Sequence, residues 1–218
     1  MVIEKRLLTP SKWTRPQIKL DKVDHIVIHW VANPKSTAIA NRNYFNNIPN
    51  SSNPRYASAH FIVGLDGEVV QCLPIDEVAY HTGTKSNNYT IGIEVCHPDS
   101  TGKFSDITMK SLIELCRYIS RETGVDLSKT TRHYDENLKN CPQYYVQHED
   151  EWLEFKKELI KMDIPQWKLD ACNRLISRIG LDNTWKDKLQ DGATIADIMV
   201  ILNKALDVVE NAKIKVGE

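Results

Sequence analysis

The chain has 218 residues, 41% of them hydrophobic and 26% charged, which suffices for the core of one good-sized domain with a small appendage. Its formal net charge is −1, so neither a general nucleic-acid binder nor a basic membrane-surface protein is indicated. No apolar run of about 18 residues predicts a membrane-spanning helix, and the N-terminus lacks the apolar centre of a secretory signal, so we expect a protein made in the cytosol.

The predicted elements alternate between strands and helices along the first 160 residues or so. Apolar and β-branched runs predict strands over residues 23–30, 58–64, 68–73 and 91–96. Amphipathic periodicity predicts helices over residues 36–48, 108–123 and 150–161. The second and third strands flank the turn dipeptide Asp66-Gly67, which is typical of a hairpin. Together these elements favour an α/β domain with a central mixed β-sheet flanked by helices.

The pattern changes after Met162, where Asp163-Ile164-Pro165 ends the preceding helix. Helical periodicity returns over residues 167–179 and 194–210 without any strand signal. We therefore expect two domains, an α/β domain over residues 1–162 and a small all-helical module over residues 163–218.

The cysteines give no sign of a disulfide framework, because their number is odd and they are scattered without a CxxC pair. They are Cys72, Cys96, Cys116, Cys141 and Cys172. Most are interpreted as small buried apolar residues, and Cys141 needs a separate explanation.

Three residues are candidate metal ligands: His29 at the end of the first core strand, His133, and Cys141. Two imidazoles and one thiolate suit a tetrahedral Zn²⁺ ion with one position left open, as a catalytic site requires. The sequence spacing alone does not establish a metal site, because His133 and Cys141 are too far apart in sequence to share one helical face. A satisfied core histidine and an inert buried cysteine remain alternatives at this point.

Six sequence blocks occur in an order that resembles a known family. They are HIVIHW (25–30), SAHFIV (58–63), AYHTG (79–83), IGIEVC (91–96), RHYD (132–135) and KNCP (139–142). Between about residue 20 and about residue 160, the chain is similar to the zinc-dependent N-acetylmuramoyl-L-alanine amidases of bacteriophage endolysins and peptidoglycan-recognition proteins. The C-terminal module is not covered by this resemblance.

The resemblance implies a role for each matching residue. His29, His133 and Cys141 match the three zinc-ligand positions, and Glu94 matches the acid/base position of one branch of the family. Lys139 matches a lysine that faces the developing oxyanion.

The same resemblance implies that His81 and Thr82 contact substrate at the rim of the cleft. Another branch of the family has a catalytic tyrosine where this chain has Ala59, so Glu94 is expected to carry the proton transfer. Of the other histidines, His60 is expected to be structural and His97 to lie at the surface.

The implied activity is hydrolysis of the amide between the lactyl group of N-acetylmuramic acid and L-alanine in bacterial peptidoglycan, with zinc as cofactor. An endolysin of this kind would stay in the host cytoplasm until a holin releases it to the cell wall. For residues 163–218, which the resemblance does not cover, we expect a wall-binding module, and a small helical cap on the catalytic domain is the alternative. Neither nucleic-acid binding nor membrane insertion is expected, and the oligomeric state is left open. The alternatives are a non-catalytic peptidoglycan-binding protein, which the presence of Cys141 and Glu94 disfavours, and a zinc peptidase acting on the stem peptide.

Overall fold

The computed structural model of the chain describes residues 1–161 and 200–207. The strands in this part are β1 (Ile3–Lys5), β2 (His25–Trp30), β3 (Phe61–Val63), β4 (Val69–Gln71), β5 (Thr90–Val95) and β6 (Thr131–Arg132). The α-helices are α1 (Ala38–Asn47), α2 (Asp106–Thr123), α3 (His133–Asn137), α4 (Gln143–Gln147) and α5 (Glu149–Ile160). Residues 200–207 are also helical. The predicted helix over 167–179 and the rest of the one over 194–210 lie outside the described residues.

The described strands form one mixed sheet in the order β1-β4-β3-β5-β2-β6. Only β3 and β4 pair antiparallel, and they are the hairpin that the Asp66-Gly67 turn predicts. Strand β5 lies at the centre, parallel to both β2 and β3, and β6 extends the sheet beyond β2. The prediction of a mixed sheet flanked by helices is therefore confirmed.

The two faces of the sheet differ because side chains alternate along each strand. One face buries the aliphatic side chains of β2 and β5 in a core shared with α2 and α5; these side chains are Ile26, Ile28, Ile91, Ile93 and Val95. The opposite face of β5 carries Thr90, Gly92 and Glu94, with His29 of β2 directly beside Glu94. Polar groups of two neighbouring strands are thus gathered on one face of the sheet.

Helix α2 ends at Thr123, as the sequence predicts, but it begins at Asp106, two residues before the predicted start. Ser105 caps its N-terminus by accepting a hydrogen bond from the Thr108 backbone N–H at 3.3 Å. Gly124 ends it in the left-handed conformation, at φ 75°, and donates its backbone N–H to Ser120. The predicted end of this helix at residue 123 is therefore confirmed.

Met1–Leu159 forms one compact unit. The predicted division after residue 162 remains a prediction, because residues 162–199 lie outside the described part. In the described part, no helix combines the length and the apolar character that crossing a bilayer requires.

Of the minor expectations, one is wrong. His97 is fully buried rather than at the surface, and the centroid of its ring lies 4.8 Å from the ring centroid of Trp30. Its Nδ1 atom lies 2.6 Å from the carbonyl oxygen of Asp99. The four cysteines of the described part are free and buried, as the sequence indicates.

Candidate metal centre

The topology of the sheet brings the three candidate ligands together. His29 lies near the carboxyl end of β2, and His133 is the first residue of α3, directly after β6. Strand β6 runs parallel to β2, with Arg132 opposite Ile28. Because of this pairing, both strands lead to a histidine at the same edge of the sheet. The loop after α3 folds back so that the Tyr134 N–H donates to the Cys141 carbonyl at 2.9 Å, which holds the cysteine beside them.

The donor atoms of the cluster lie close enough together to share one metal ion. One ligand atom from each of His29, His133 and Cys141 lies within 4.8 Å of the others, and all three residues are buried. The two Nδ1 atoms are 3.0 Å apart, and the Cys141 sulfur is 3.9 Å from the His29 Nδ1. Ligands of a tetrahedral zinc ion lie about 3.3 to 3.6 Å apart, given Zn–N and Zn–S bonds of about 2.0 and 2.3 Å. The donor set therefore fits zinc in its chemistry, and its separations of 3.0 to 4.8 Å lie on both sides of the tetrahedral values.

Burial determines the protonation of these ligands. It lowers the pKa of His29 well below its ordinary value, with the neighbouring His81 and His133 adding to the effect. It also lowers the pKa of His133 and raises that of the Cys141 thiol to about 12. Both imidazoles are thus neutral at pH 7, which is the form that binds a metal.

The second nitrogen of His29 has a partner within the protein. Its Nε2 lies 2.9 Å from Nδ1 of His81, whose own Nε2 lies 3.1 Å from the Thr90 hydroxyl. That hydroxyl donates to the carbonyl oxygen of Ser86 at 2.7 Å. His29, His81 and Thr90 therefore form one continuous hydrogen-bonded chain behind the metal site.

The second nitrogen of His133 is also occupied. Its Nε2 lies 3.1 Å from the Thr82 carbonyl oxygen, which also accepts a hydrogen bond from the Asn137 side chain at 2.6 Å. The Thr82 side chain is fully buried, and its hydroxyl donates to Asn87 Oδ1 at 3.0 Å. Asn87 Oδ1 also accepts the backbone N–H groups of His81 and Thr82, at 3.0 and 2.9 Å. This side-chain amide therefore holds the backbone segment that supports both histidines.

Glu94 places its carboxylate beside the cluster. Its Cα is paired with that of His29 in the β2–β5 ladder, so both side chains emerge on the same face. Its Oε2 is buried and has no hydrogen-bond partner within the described residues. Burial raises the pKa of Glu94 to about 8, and the positive charge of Lys139 acts in the opposite direction. A buried acceptor left unpaired in this way is expected at a functional site rather than in a core.

These groups open into a cleft of about 560 Å³. His29, Glu94, His133, Lys139 and Cys141 line it together with His81 and Thr82. The lining also includes three tyrosines, Tyr44, Tyr56 and Tyr80. The cleft therefore brings all seven candidate site residues to one cavity.

The substrate contacts expected of His81 and Thr82 remain a prediction. Both ring nitrogens of His81 and the hydroxyl of Thr82 already have protein partners. Sequence reasoning did not single out Thr90, Asn87 or Asn137. Thr90 could have been found, because it lies four residues before Glu94 and so shares its face of the strand. The roles of the two asparagines depend on loop geometry that no pattern in the sequence reveals.

Comparison with known proteins adds three findings. A family model described as N-acetylmuramoyl-L-alanine amidase matches residues 19–144, a range that contains all seven candidate site residues. The chain is 31% identical over 160 residues to a probable N-acetylmuramoyl-L-alanine amidase of Bacillus licheniformis, covering 68% of this chain and 44% of that protein. It is also 31% identical over 176 residues to the N-acetylmuramoyl-L-alanine amidase BlyA of Bacillus subtilis (strain 168), with the same 68% and 44% coverage. The chain thus spans less than half the length of these relatives.

Solved structures agree on the fold. A mutant endolysin from Bacillus subtilis superimposes with a TM-score of 0.61 at 27% identity, over 72% of this chain and 98% of that one. PlyL superimposes with a TM-score of 0.64 at 22% identity, over 75% of this chain and 100% of that one. In each case nearly the whole of the solved chain corresponds to about three quarters of this one, so the rest of this chain lies outside the shared fold.

Proposed function

We propose, from the premise that this chain belongs to the N-acetylmuramoyl-L-alanine amidase family, that it hydrolyses an amide bond of bacterial peptidoglycan. The bond joins the lactyl group of N-acetylmuramic acid to the L-alanine of the stem peptide. The proposal is supported by one observation above all: the donor atoms of His29, His133 and Cys141 meet beside a buried Glu94 oxygen that has no hydrogen-bond partner among the described residues.

The cofactor proposed is zinc, held by Nδ1 of both histidines and by the sulfur of Cys141. Zinc, when bound, supplies Lewis-acid chemistry: it polarises a carbonyl oxygen and makes water a stronger acid. The protein's contribution would be to hold two neutral imidazoles and the Cys141 sulfur at fixed positions on the wall of the cleft.

Glu94 is the proposed general base. Its free Oε2 takes a proton from the attacking water and returns it to the nitrogen of the leaving L-alanine. A carboxylate with a raised pKa and no competing hydrogen bond is suited to both transfers, because it binds a proton readily.

Lys139 is the proposed electrostatic partner of the reaction. It is exposed on the loop between α3 and Cys141, and its ammonium group lines the same cleft as Glu94. The tetrahedral intermediate carries a negative oxygen, and a fixed positive charge facing that oxygen lowers the barrier. Losing one such group typically slows turnover by about 10²–10³-fold.

For the biological setting we propose host-cell lysis. The solved structures with this fold include an endolysin from Bacillus subtilis. This similarity favours release to the cell wall after synthesis in the cytoplasm. Residues 163–218, which the family model does not match, are proposed to be a wall-binding module.

The test is digestion of purified peptidoglycan by the zinc-loaded full chain, with separate assays for new L-alanine amino groups and new reducing sugars. We expect amino groups without sugars, and mass spectrometry should find intact stem peptides that begin with L-alanine. Fragments cut within the stem peptide would instead identify a peptidase, and binding without any release would identify a non-catalytic wall-binding protein.

The link to the metal site is tested by Cys141→Ala, which should lose bound zinc and hydrolysis together. The matched control is Cys116→Ala, which removes another buried thiol, one that α2 contributes to the core and that does not line the cleft. Full zinc content in the Cys141 variant would refute the proposed ligand set.

A further inference from the structure

A chain of hydrogen bonds runs from His29 through His81 to Thr90, and the donor and the acceptor of each bond can be assigned. The Thr90 hydroxyl has a single hydrogen, and it donates that hydrogen to the Ser86 carbonyl oxygen, which can only accept. The Thr90 oxygen must therefore accept from Nε2 of His81. His81 is consequently the tautomer that carries its proton on Nε2.

The same logic extends to the metal ligand itself. With its proton on Nε2, His81 has a lone pair on Nδ1, and that atom lies 2.9 Å from Nε2 of His29. It can only accept there, so His29 carries its proton on Nε2. The lone pair of His29 is thereby left on Nδ1, the atom that faces His133 and Cys141.

We propose that His81 and Thr90 are positioning residues that fix the tautomer and ring orientation of His29, so that Nδ1 is ready to bind zinc. The inference rests on the proposed zinc site and assigns a role that the ligand residues alone do not explain. Metal-binding histidines commonly donate their second N–H to a protein group, and losing that group typically weakens metal binding by about 10–100-fold.

Burial separates this role from substrate binding. Thr90 is fully buried on β5, so it cannot touch a substrate in the cleft. His81 is 8% exposed, and both of its ring nitrogens are used within the chain. Its ring also lies directly over Gly92 of β5, where a Cβ atom would come within 2.5 Å of its Cγ. The absence of a side chain at this position makes room for the imidazole.

The first test compares two substitutions at Thr90. Thr90→Val keeps the shape of the side chain but removes the acceptor for His81, and we expect zinc to bind about 10–100-fold more weakly. Thr90→Ser keeps the hydroxyl and should retain most of the affinity. The affinity is measured by competition with a chromophoric chelator, without any substrate, so the result does not depend on the proposed amidase activity.

A second pair addresses His81 itself, in case the Thr90 variants fold poorly. His81→Asn can present its amide oxygen near the position of Nδ1, whereas His81→Leu cannot accept a hydrogen bond from His29. We expect the Leu variant to lose more zinc affinity than the Asn variant. If both bind zinc as the unchanged protein does while KM for a soluble muropeptide rises, His81 is a substrate contact and the inference is overturned.

A third measurement needs no variant. Nitrogen-15 chemical shifts of the metal-free chain report which ring nitrogen of each histidine carries the proton. We expect His29 and His81 to be protonated on Nε2 at neutral pH. A His29 ring protonated on Nδ1 would overturn the inference, even if the chain proved to be an active amidase.

Discussion

At the scale of single residues, Glu94 is the only carboxylate within the described chain that lines the cleft. Replacing it by glutamine keeps its size but removes the group that accepts a proton. We expect Glu94→Gln to lower turnover by about 10²–10⁴-fold, the usual contribution of general acid–base catalysis. Zinc content, measured by atomic absorption, should be unchanged because Glu94 is not among the ligands.

The control for that prediction is Glu122→Gln, which neutralises an exposed carboxylate on α2. It should leave turnover unchanged. If the Glu94 variant kept full turnover, the general base would have to be a different group.

His60 provides a second prediction, concerning stability and pH. Burial lowers the pKa of His60 from 6.5 to about 4, while the unfolded chain keeps the ordinary value. As the pH falls below 6.5, the unfolded state therefore binds a proton that the folded state does not, and stability is lost. Between pH 7 and pH 5 this residue alone should remove about 2 kcal/mol.

The measurement is urea unfolding of the metal-free protein in the presence of a chelator, at pH 7 and pH 5. His60→Gln cannot titrate, so its loss of stability between the two pH values should be about 2 kcal/mol smaller than that of the unchanged protein. Equal losses in the two proteins would contradict the shifted pKa.

The sequence identified the ligand types at the residue scale but not the groups behind them. His29 and Glu94 stand out because each is a polar residue within an apolar strand. The hydrogen-bonding roles of Asn87 and Asn137 are not readable in this way, because asparagines in loops are common and their partners depend on tertiary contacts. His97 illustrates the same limit: it was expected at the surface, and only the packing against Trp30 explains its burial.

At the scale of elements, the central strands could be predicted but the edges could not. Strands β2 and β5 are six-residue apolar runs, so their sequence pattern is strong. Strand β6 has two residues, Thr131–Arg132, and is held by its pairing with β2 rather than by any pattern of its own. This short strand is what delivers His133 beside His29, so the convergence of the ligands could be inferred only from the family resemblance.

Strand β5 carries the next prediction, at Gly92. An added Cβ would lie 2.5 Å from Cγ and 2.6 Å from Nδ1 of His81, so the imidazole would have to move. We expect Gly92→Ala to destabilise the fold by about 1–3 kcal/mol, the usual cost of overpacking. If His81 orients His29, zinc affinity should fall as well. Both quantities are measurable, by urea unfolding and by chelator competition.

The matched control is Gly64→Ala, at the end of the β3 strand. The three atoms nearest its Cβ would belong to the flexible carboxylate end of Glu68, which can move away. We expect little loss of stability and no change in zinc affinity. A Gly92 variant that behaved like this control would mean that the site tolerates a displaced His81.

At the scale of the whole molecule, three observations fall near the same boundary. The family model matches residues 19–144, the compact unit ends at Leu159, and solved relatives cover about three quarters of the chain. The amphipathic pattern predicts the change of character near residue 162, but it gives no information on what the following module binds. Recognition of a ligand depends on surface chemistry, which helical periodicity does not encode.

This division leads to the last prediction, deletion of residues 163–218. Linked modules can raise overall affinity by about 10²–10⁴-fold, so removing a wall-binding module should weaken binding to purified walls at least about tenfold. Binding is best compared in the Glu94→Gln background, which leaves the walls undigested. Without that substitution, the shortened chain should keep its kcat/KM on a soluble muropeptide, because the described residues that line the cleft all lie before residue 142. Undiminished wall binding would mean that the deleted residues serve only as a structural cap on the catalytic unit.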